Sequence, residues 1–183
     1  MSSIRILLGF IFIAAVCRGN VRDGNIISRM KPEQEARRQQ FADLAKSLIG
    51  VREGIKNNTG TDVIKYLKYV GINVPTPWCA AFVSWVFKMG GQTEPKTAWS
   101  PSLFPASRLA RDALKGNVIG IYFPTLKRIG HCGIIVDTRG NLIYSVEGNT
   151  NGVGSREGDG VYKRIRHKRS IAAIADWLEG APL

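Results

Sequence analysis

The chain is poor in the residues that extreme architectures need. Three Cys in 183 residues are too few for a disulfide-built scaffold. Eight Pro and 20 Gly follow no triplet period, which excludes a collagen-like repeat. The apolar run near the N-terminus, Ile6 to Val16, has eleven residues, too short to cross a bilayer as a helix of about 20. Carboxylates are scarce: 14 Asp and Glu stand against 26 Lys and Arg, a net charge of +12. Yet 44% of residues are hydrophobic and only 22% charged, so the chain is neither disordered nor a solvating polyelectrolyte.

The basic balance favours polyanions: nucleic acid, anionic lipid or an anionic wall polymer. Charge alone does not choose between them. No nucleic-acid-binding module and no alternation of aromatic with basic residues is present, so nucleic acid is not expected as a partner. At the N-terminus, Arg5, the short apolar run and the small residues Ala14-Ala15 read as a secretory signal over residues 1–17. Cys17 directly after them also raises lipid anchoring at a lipoprotein-type site, although Val16 is a poor residue before such a Cys. A secreted, periplasmic or envelope location is expected. Residues 18–31, polar and mixed, read as a linker, and 32–183 as one domain, expected to be a monomer.

From Pro32 the pattern is helical. Phe41, Leu44, Ala45, Leu48 and Ile49 form one apolar stripe that Gly50 ends. A short helix with Val63, Leu67 and Val70 inward ends at Gly71. The segment from Trp78 to Gly90 is apolar on most sides and predicts a central helix. A fourth helix is expected over Ser102 to Leu114. After Gly116 the pattern turns to strands: Val118–Phe123, Cys132–Val136, Leu142–Val146 and Val161–Ile165, with a closing helix over Ser170–Leu178. Helices first and strands after predict an α+β fold with an antiparallel sheet.

Cys79 sits just inside the start of the central helix, behind Pro75 and Pro77. The positive end of a helix dipole stabilises a thiolate, which is what a nucleophilic Cys needs. His131, one of two His in the chain, begins a strand in the Gly-bounded segment Gly130-His-Cys-Gly133. The following hairpin tests the pairing. A three-residue loop Thr138-Arg139-Gly140, with Gly140 at positive φ, would pair 137 with 141, 133 with 145 and 131 with 147. Glu147 would then face His131 on one side of the sheet, with Asn149 beside it if the strand continues. A two-residue loop would send Glu147 to the other face. The expected constellation is Cys79 as nucleophile, His131 as base and Glu147 as the group that holds the imidazole. Asn149 supports His131 or donates to an oxyanion, as does the Cys79 backbone N–H. Cys132 points to the opposite sheet face from His131 and is expected to pack away from the site, so that Cys132→Ala keeps most activity. His131 and Cys132 are an awkward pair of ligands for one metal, and no metal or other cofactor is expected.

Three pieces, Trp78-Cys-Ala-Ala-Phe-Val-Ser-Trp85, Gly130-His-Cys-Gly-Ile-Ile-Val136 and Val146-Glu-Gly-Asn-Thr150, resemble the CHAP family of cysteine, histidine-dependent amidohydrolases and peptidases in motif and in order. The resemblance runs over about residues 40–179, and Ser155–Arg164 with Ala175-Asp-Trp-Leu178 resemble a branch of small secreted bacterial members. It implies a papain-like fold and hydrolysis of an amide bond in peptidoglycan, either N-acetylmuramoyl-L-alanine or a stem or cross-bridge peptide bond. Some members bind calcium through carboxylates just before the nucleophile; Gly71–Trp78 contains none. Members of that kind often carry a polar residue before the Cys. Here Trp78 stands there, to wall the cleft or stack on substrate, or to pack as core. The basic run Lys163–Arg169 is expected either to meet an anionic wall or to form the soluble face of an edge strand. The rival reading is a catalytically silent wall- or polyanion-binding module, which need not keep Cys79, His131 and Glu147 together.

Overall fold

The computed structural model describes residues 30–152 and 158–179. The signal segment 1–17, Cys17, nearly all of the 18–31 linker and residues 153–157 lie outside the described residues. Contacts divide the chain into Met1–Met30 and Lys31–Leu183, and every element named below belongs to the second unit.

Among the described residues three helices come first: α1 Pro32–Ser47, α2 Thr61–Tyr69 and α3 Cys79–Met89. Five strands follow: β1 Val118–Phe123, β2 Arg128–Arg139, β3 Leu142–Thr150, β4 Gly160–His167 and β5 Ala173–Ala175. They form one antiparallel sheet in the order β4-β3-β2-β1-β5. The fold is α+β, as the order of patterns predicts.

Pro32 opens α1 because its missing N–H is one that a first helical turn leaves unpaired anyway. The stripe of α1 buries Phe41, Ala42 and Ala45, while Ile49, past the helix end, stays exposed. α3 is buried from Cys79 through Ser84 and again at Val86 and Phe87, as an apolar-all-round helix must be. Its end meets α1 at Gly90, where a Cβ would stand 2.2 Å from the Phe41 ring. Phe41, Phe82 and Phe87 are fully buried, each stabilising the core by about 1.5–3 kcal/mol through area removed from water. The helices cover one sheet face through Cys132, Ile134, Val136 and Val146. On the other face Ile119, Ile135 and Ile143 pack with Ala113, Ile171 and Ile174. Arg38 of α1, itself buried, ties down the C-terminal segment by ion pairs to Asp176 and Glu179 and a hydrogen bond to Asn117.

Two predicted helices are absent. Over 102–114 the chain makes only 3₁₀ turns, Ser100–Leu103 and Ala106–Arg108. Pro105 between them removes a donor and disfavours helical backbone at the residue before it. Over 170–178 a 3₁₀ turn at Lys168–Ser170 leads into β5, which pairs Ala175 with Val118 and Ala173 with Gly120. The unpaired edge of β1 takes this segment as a strand, overriding its helical pattern.

The β2–β3 hairpin also differs from expectation. Arg139 pairs with Leu142, Thr138 with Ile143 and Asp137 with Tyr144, so the loop is the two residues Gly140-Asn141. Gly140 does have positive φ, 56°. Such a loop should turn Glu147 away from His131, but the ladder carries one extra residue, Val136, between Ile135 and Asp137. This bulge restores the phase: Ile135 pairs with Ser145 and Ile134 with Val146. Gly133 then lies across from Glu147, and a Cβ there would be 2.4 Å from the Glu147 Cγ. Glu147 therefore shares the face of His131, by a loop and a bulge whose shifts cancel.

Candidate active site

Cys79 is the first residue of α3. The prolines at 75 and 77 keep the approach extended, so the helix starts at the cysteine and leaves its first N–H groups free of intrahelical partners. Cys79 is 4% exposed, and its Sγ lies 3.3 Å from the Ser100 Oγ. Ser100 opens the 3₁₀ turn that replaces the start of the expected fourth helix.

His131 and Glu147 meet as expected: Nε2 of His131 stands 2.9 Å from Oε2 of Glu147. Glu147 is fully buried, and four groups hold its two oxygens. Oε1 accepts from the Ser145 hydroxyl at 2.6 Å and from Arg166 Nε at 3.0 Å. Oε2 takes His131 and, at 2.6 Å, Arg166 Nη2. The guanidinium grips the carboxylate with a two-pronged fork, which fixes the plane in which the imidazole is held. With Nε2 committed to Glu147, Nδ1 is the ring nitrogen left for the thiol.

These contacts set the charges. Burial pushes the Glu147 carboxyl up, but the hydrogen bonds and positive charges of His131 and Arg166 outweigh it and hold the group at about 2. Burial likewise works against a charged His131, yet hydrogen bonds to Cys79 and Glu147 and their negative charges raise it to about 9. The Cys79 thiol is drawn well below its ordinary value. A hydrogen bond from Cys132 is the largest cause; burial opposes it; hydrogen bonding and charge from His131 and a hydrogen bond with Ser100 assist. The arrangement favours a thiolate–imidazolium pair at neutral pH.

Cys79, His131 and Asn149 line one cleft of about 130 Å³, with Arg128 and Arg166 also at its wall. Asn149 reaches it with φ of 54°, not by regular alternation, which an Asn tolerates better than most residues. The β3–β4 register shifts between Glu147 and Thr150, where this backbone turns. Trp78 does not wall the cleft. It is fully buried, its Nε1 donates to Glu53 Oε1 at 2.6 Å, and its ring lies under Gly148, where a Cβ would come within 2.7 Å. The substrate-binding reading of Trp78 is corrected: it is helix-start core. An exposed aromatic beside the cleft-lining Arg128 is Trp99, 52% exposed, with the Arg128 guanidinium 3.9 Å from its ring centre.

Cys132 is also corrected. It does face away from His131, but α3 packs on that face, so pointing away from the imidazole means pointing toward Cys79. Its own thiol is held well above the ordinary value, first by burial and then by the neighbouring Cys79. It therefore acts as a neutral donor to the thiolate. Cys132→Ala is expected to raise the midpoint of Cys79 thiolate formation, read from thiolate absorbance or the pH dependence of alkylation. An unchanged midpoint would remove Cys132 from the site's electrostatics.

Ser100, Cys132 and Arg166 were not identified as site residues from the sequence. Arg166 sits in the basic run at 163–169, where strand alternation sends every second residue to the Glu147 face; that alternation was the available signal. Ser100 carried none. Among the described residues no group of three or more His, Cys, Asp or Glu is arranged to hold a metal ion. Set beside family models, curated proteins and solved structures, the chain matches none of them.

Proposed function

We propose that the chain is a secreted, papain-like thiol hydrolase of the CHAP type that cleaves an amide bond in peptidoglycan. The observation that carries the reading is the Cys79 thiol at a helix start in one cleft with His131, whose Nε2 is held 2.9 Å from the buried Glu147. A binding module has no use for a buried carboxylate clamped by an arginine and aimed at an imidazole.

In this reading the Cys79 thiolate attacks the amide carbonyl carbon, and the carbonyl electron pair moves to oxygen. The Cys79 backbone N–H at the helix start and the Asn149 amide are the donors available to that oxyanion. As the C–N bond breaks, the proton on His131 Nδ1 passes to the leaving nitrogen, which departs as an amine. A thioester on Cys79 remains. Water then attacks it, His131 takes the water proton, and the acid product leaves with the thiolate restored. Glu147 keeps Nε2–H oriented and stabilises the imidazolium whenever it forms.

The charge state needed for attack and amine departure requires a protonated His131. The rate kcat/KM is therefore expected to fall as pH rises through about 9, the value at which His131 releases its proton. A profile still rising above pH 10, measured on a soluble muropeptide, would contradict the assignment.

Mass spectrometry of purified muropeptides after digestion names the bond. Gain of one water at a single amide is expected. No new product from folded protein whose Cys79 reacts with an alkylating reagent would refute the hydrolase reading.

A further inference from the structure

Apart from the run at 163–169, positive charge also gathers in a shallow depression between α2 and α3. Lys65, Lys68 and Lys88 line it together with Tyr69 and Trp85. The Lys65 ammonium lies 4.7 Å from the Trp85 ring centre. Lys88 lies 4.3 Å from Trp85 and 5.0 Å from Tyr69, and Lys96 lies 5.2 Å from Tyr69. The two rings meet edge to face at 5.9 Å. Asp62 is on the same helix, and the Tyr69 hydroxyl is raised first by burial and then by the charge of Glu94. None of the four lysines forms an ion pair with either among the described residues. Like charges are thus gathered on aromatic faces, which attract cations without neutralising them. Lys88 stands nine residues beyond Cys79 on α3, roughly 14 Å along the helix at 1.5 Å per residue, so the depression is separate from the cleft.

We propose that this surface binds a linear, phosphate-bearing anionic polymer. Several separated point charges suit a chain of regularly spaced anions. Lysines offer no planar fork for a single bidentate group. The rings are covered by ammonium groups, so they give no platform on which nucleic-acid bases stack. Of the lining residues only Ile64 is an exposed aliphatic side chain, too little to enter a bilayer. The assignment does not depend on catalysis.

The test is binding of linear inorganic polyphosphate to the purified chain over a salt series. The variant with Lys65, Lys68, Lys88 and Lys96 all changed to Ala is expected to bind at least about tenfold more weakly near 0.1 M salt. Its slope of log K against log salt should fall by roughly 2–3, at about 0.7 per phosphate contact. A control that loses the same charge elsewhere, with Arg37, Lys56, Arg111 and Arg169 changed to Ala, should stay within about threefold of the parent, since diffuse charge acts weakly at a screened distance. The paired variants K65A/K68A and K88A/K96A should each show part of the loss, which keeps the test decisive if the fourfold variant folds poorly. Equal weakening in the control would overturn the site. So would lysine-dependent binding of phosphatidylglycerol vesicles without lysine-dependent binding of polyphosphate.

Discussion

Cys79→Ala is expected to lose muropeptide hydrolysis by about 10⁴-fold or more, because the neighbouring thiol, Cys132, is fully buried and held neutral, and so does not take over as nucleophile. Ser100 is the hydroxyl beside Cys79, 3.3 Å from the sulfur, and an unactivated serine hydroxyl is a poor nucleophile. The same substitution should leave the fold in place. It removes one sulfur from a buried site at a cost of about 1 kcal/mol, and neighbouring Ala80 and Ala81 show that α3 accepts small residues here. Circular dichroism and the melting transition check the fold, and release of soluble muropeptides checks activity. Near-parental hydrolysis by the folded variant would rule out the thiol mechanism.

Glu147→Gln should act almost as strongly and through a different step. The amide keeps the shape but not the charge, so His131 loses the partner that stabilises its protonated form. A fall in kcat on the order of 10³-fold is expected, by analogy with losing the acidic member of a triad, with much less change in KM. The alkaline limb should move down from about 9 toward the ordinary histidine value of 6.5. That shift separates the catalytic effect from a structural one, because loosened packing would lower activity without moving the limb. Some destabilisation is also expected, since Arg166 then faces no opposite charge. A variant with an unmoved limb would show that Glu147 positions the ring without setting its charge.

The strands were legible because β-branched residues alternate between Gly, Asn and Asp punctuation, and β1 begins and ends where that pattern does. The central helix was legible from its proline-fixed start and its all-round apolar sequence. Residues 102–114 misled because their apolar spacing suits a helix while Pro105 forbids one. Residues 170–178 misled because only the finished sheet shows that β1 lacks a neighbour. The pairing of His131 with Glu147 was predicted, but through a wrong register: Gly140 takes positive φ in either loop length, and nothing local marks Val136 as the extra residue. Cys132 misled for a related reason. Alternation tells which sheet face a side chain is on, not which face carries the nucleophile's helix. Arg166 had only strand alternation to mark it, which does not tell that its guanidinium reaches back to Glu147; Ser100 comes from a distant segment that no spacing rule links to Cys79.

The cancelling shifts in the β2–β3 hairpin have a consequence for how this chain can change in length. Val136 has no partner across the ladder, so its removal would leave Ile135 opposite Ser145 and Gly133 opposite Glu147, and Glu147 would stay on the face of His131. A residue added within the Gly140-Asn141 loop likewise leaves those pairs as they are. Removing one residue from between Leu142 and Val146, with the loop and the bulge kept, would instead set Glu147 opposite Ile134 and carry it to the helix side. Such a loss lies away from the imidazole along the strand, yet it would disable the candidate site as surely as replacing the carboxylate. Length variation at this hairpin is therefore confined to the bulge and the loop, a rule about gaps, not about residue identity.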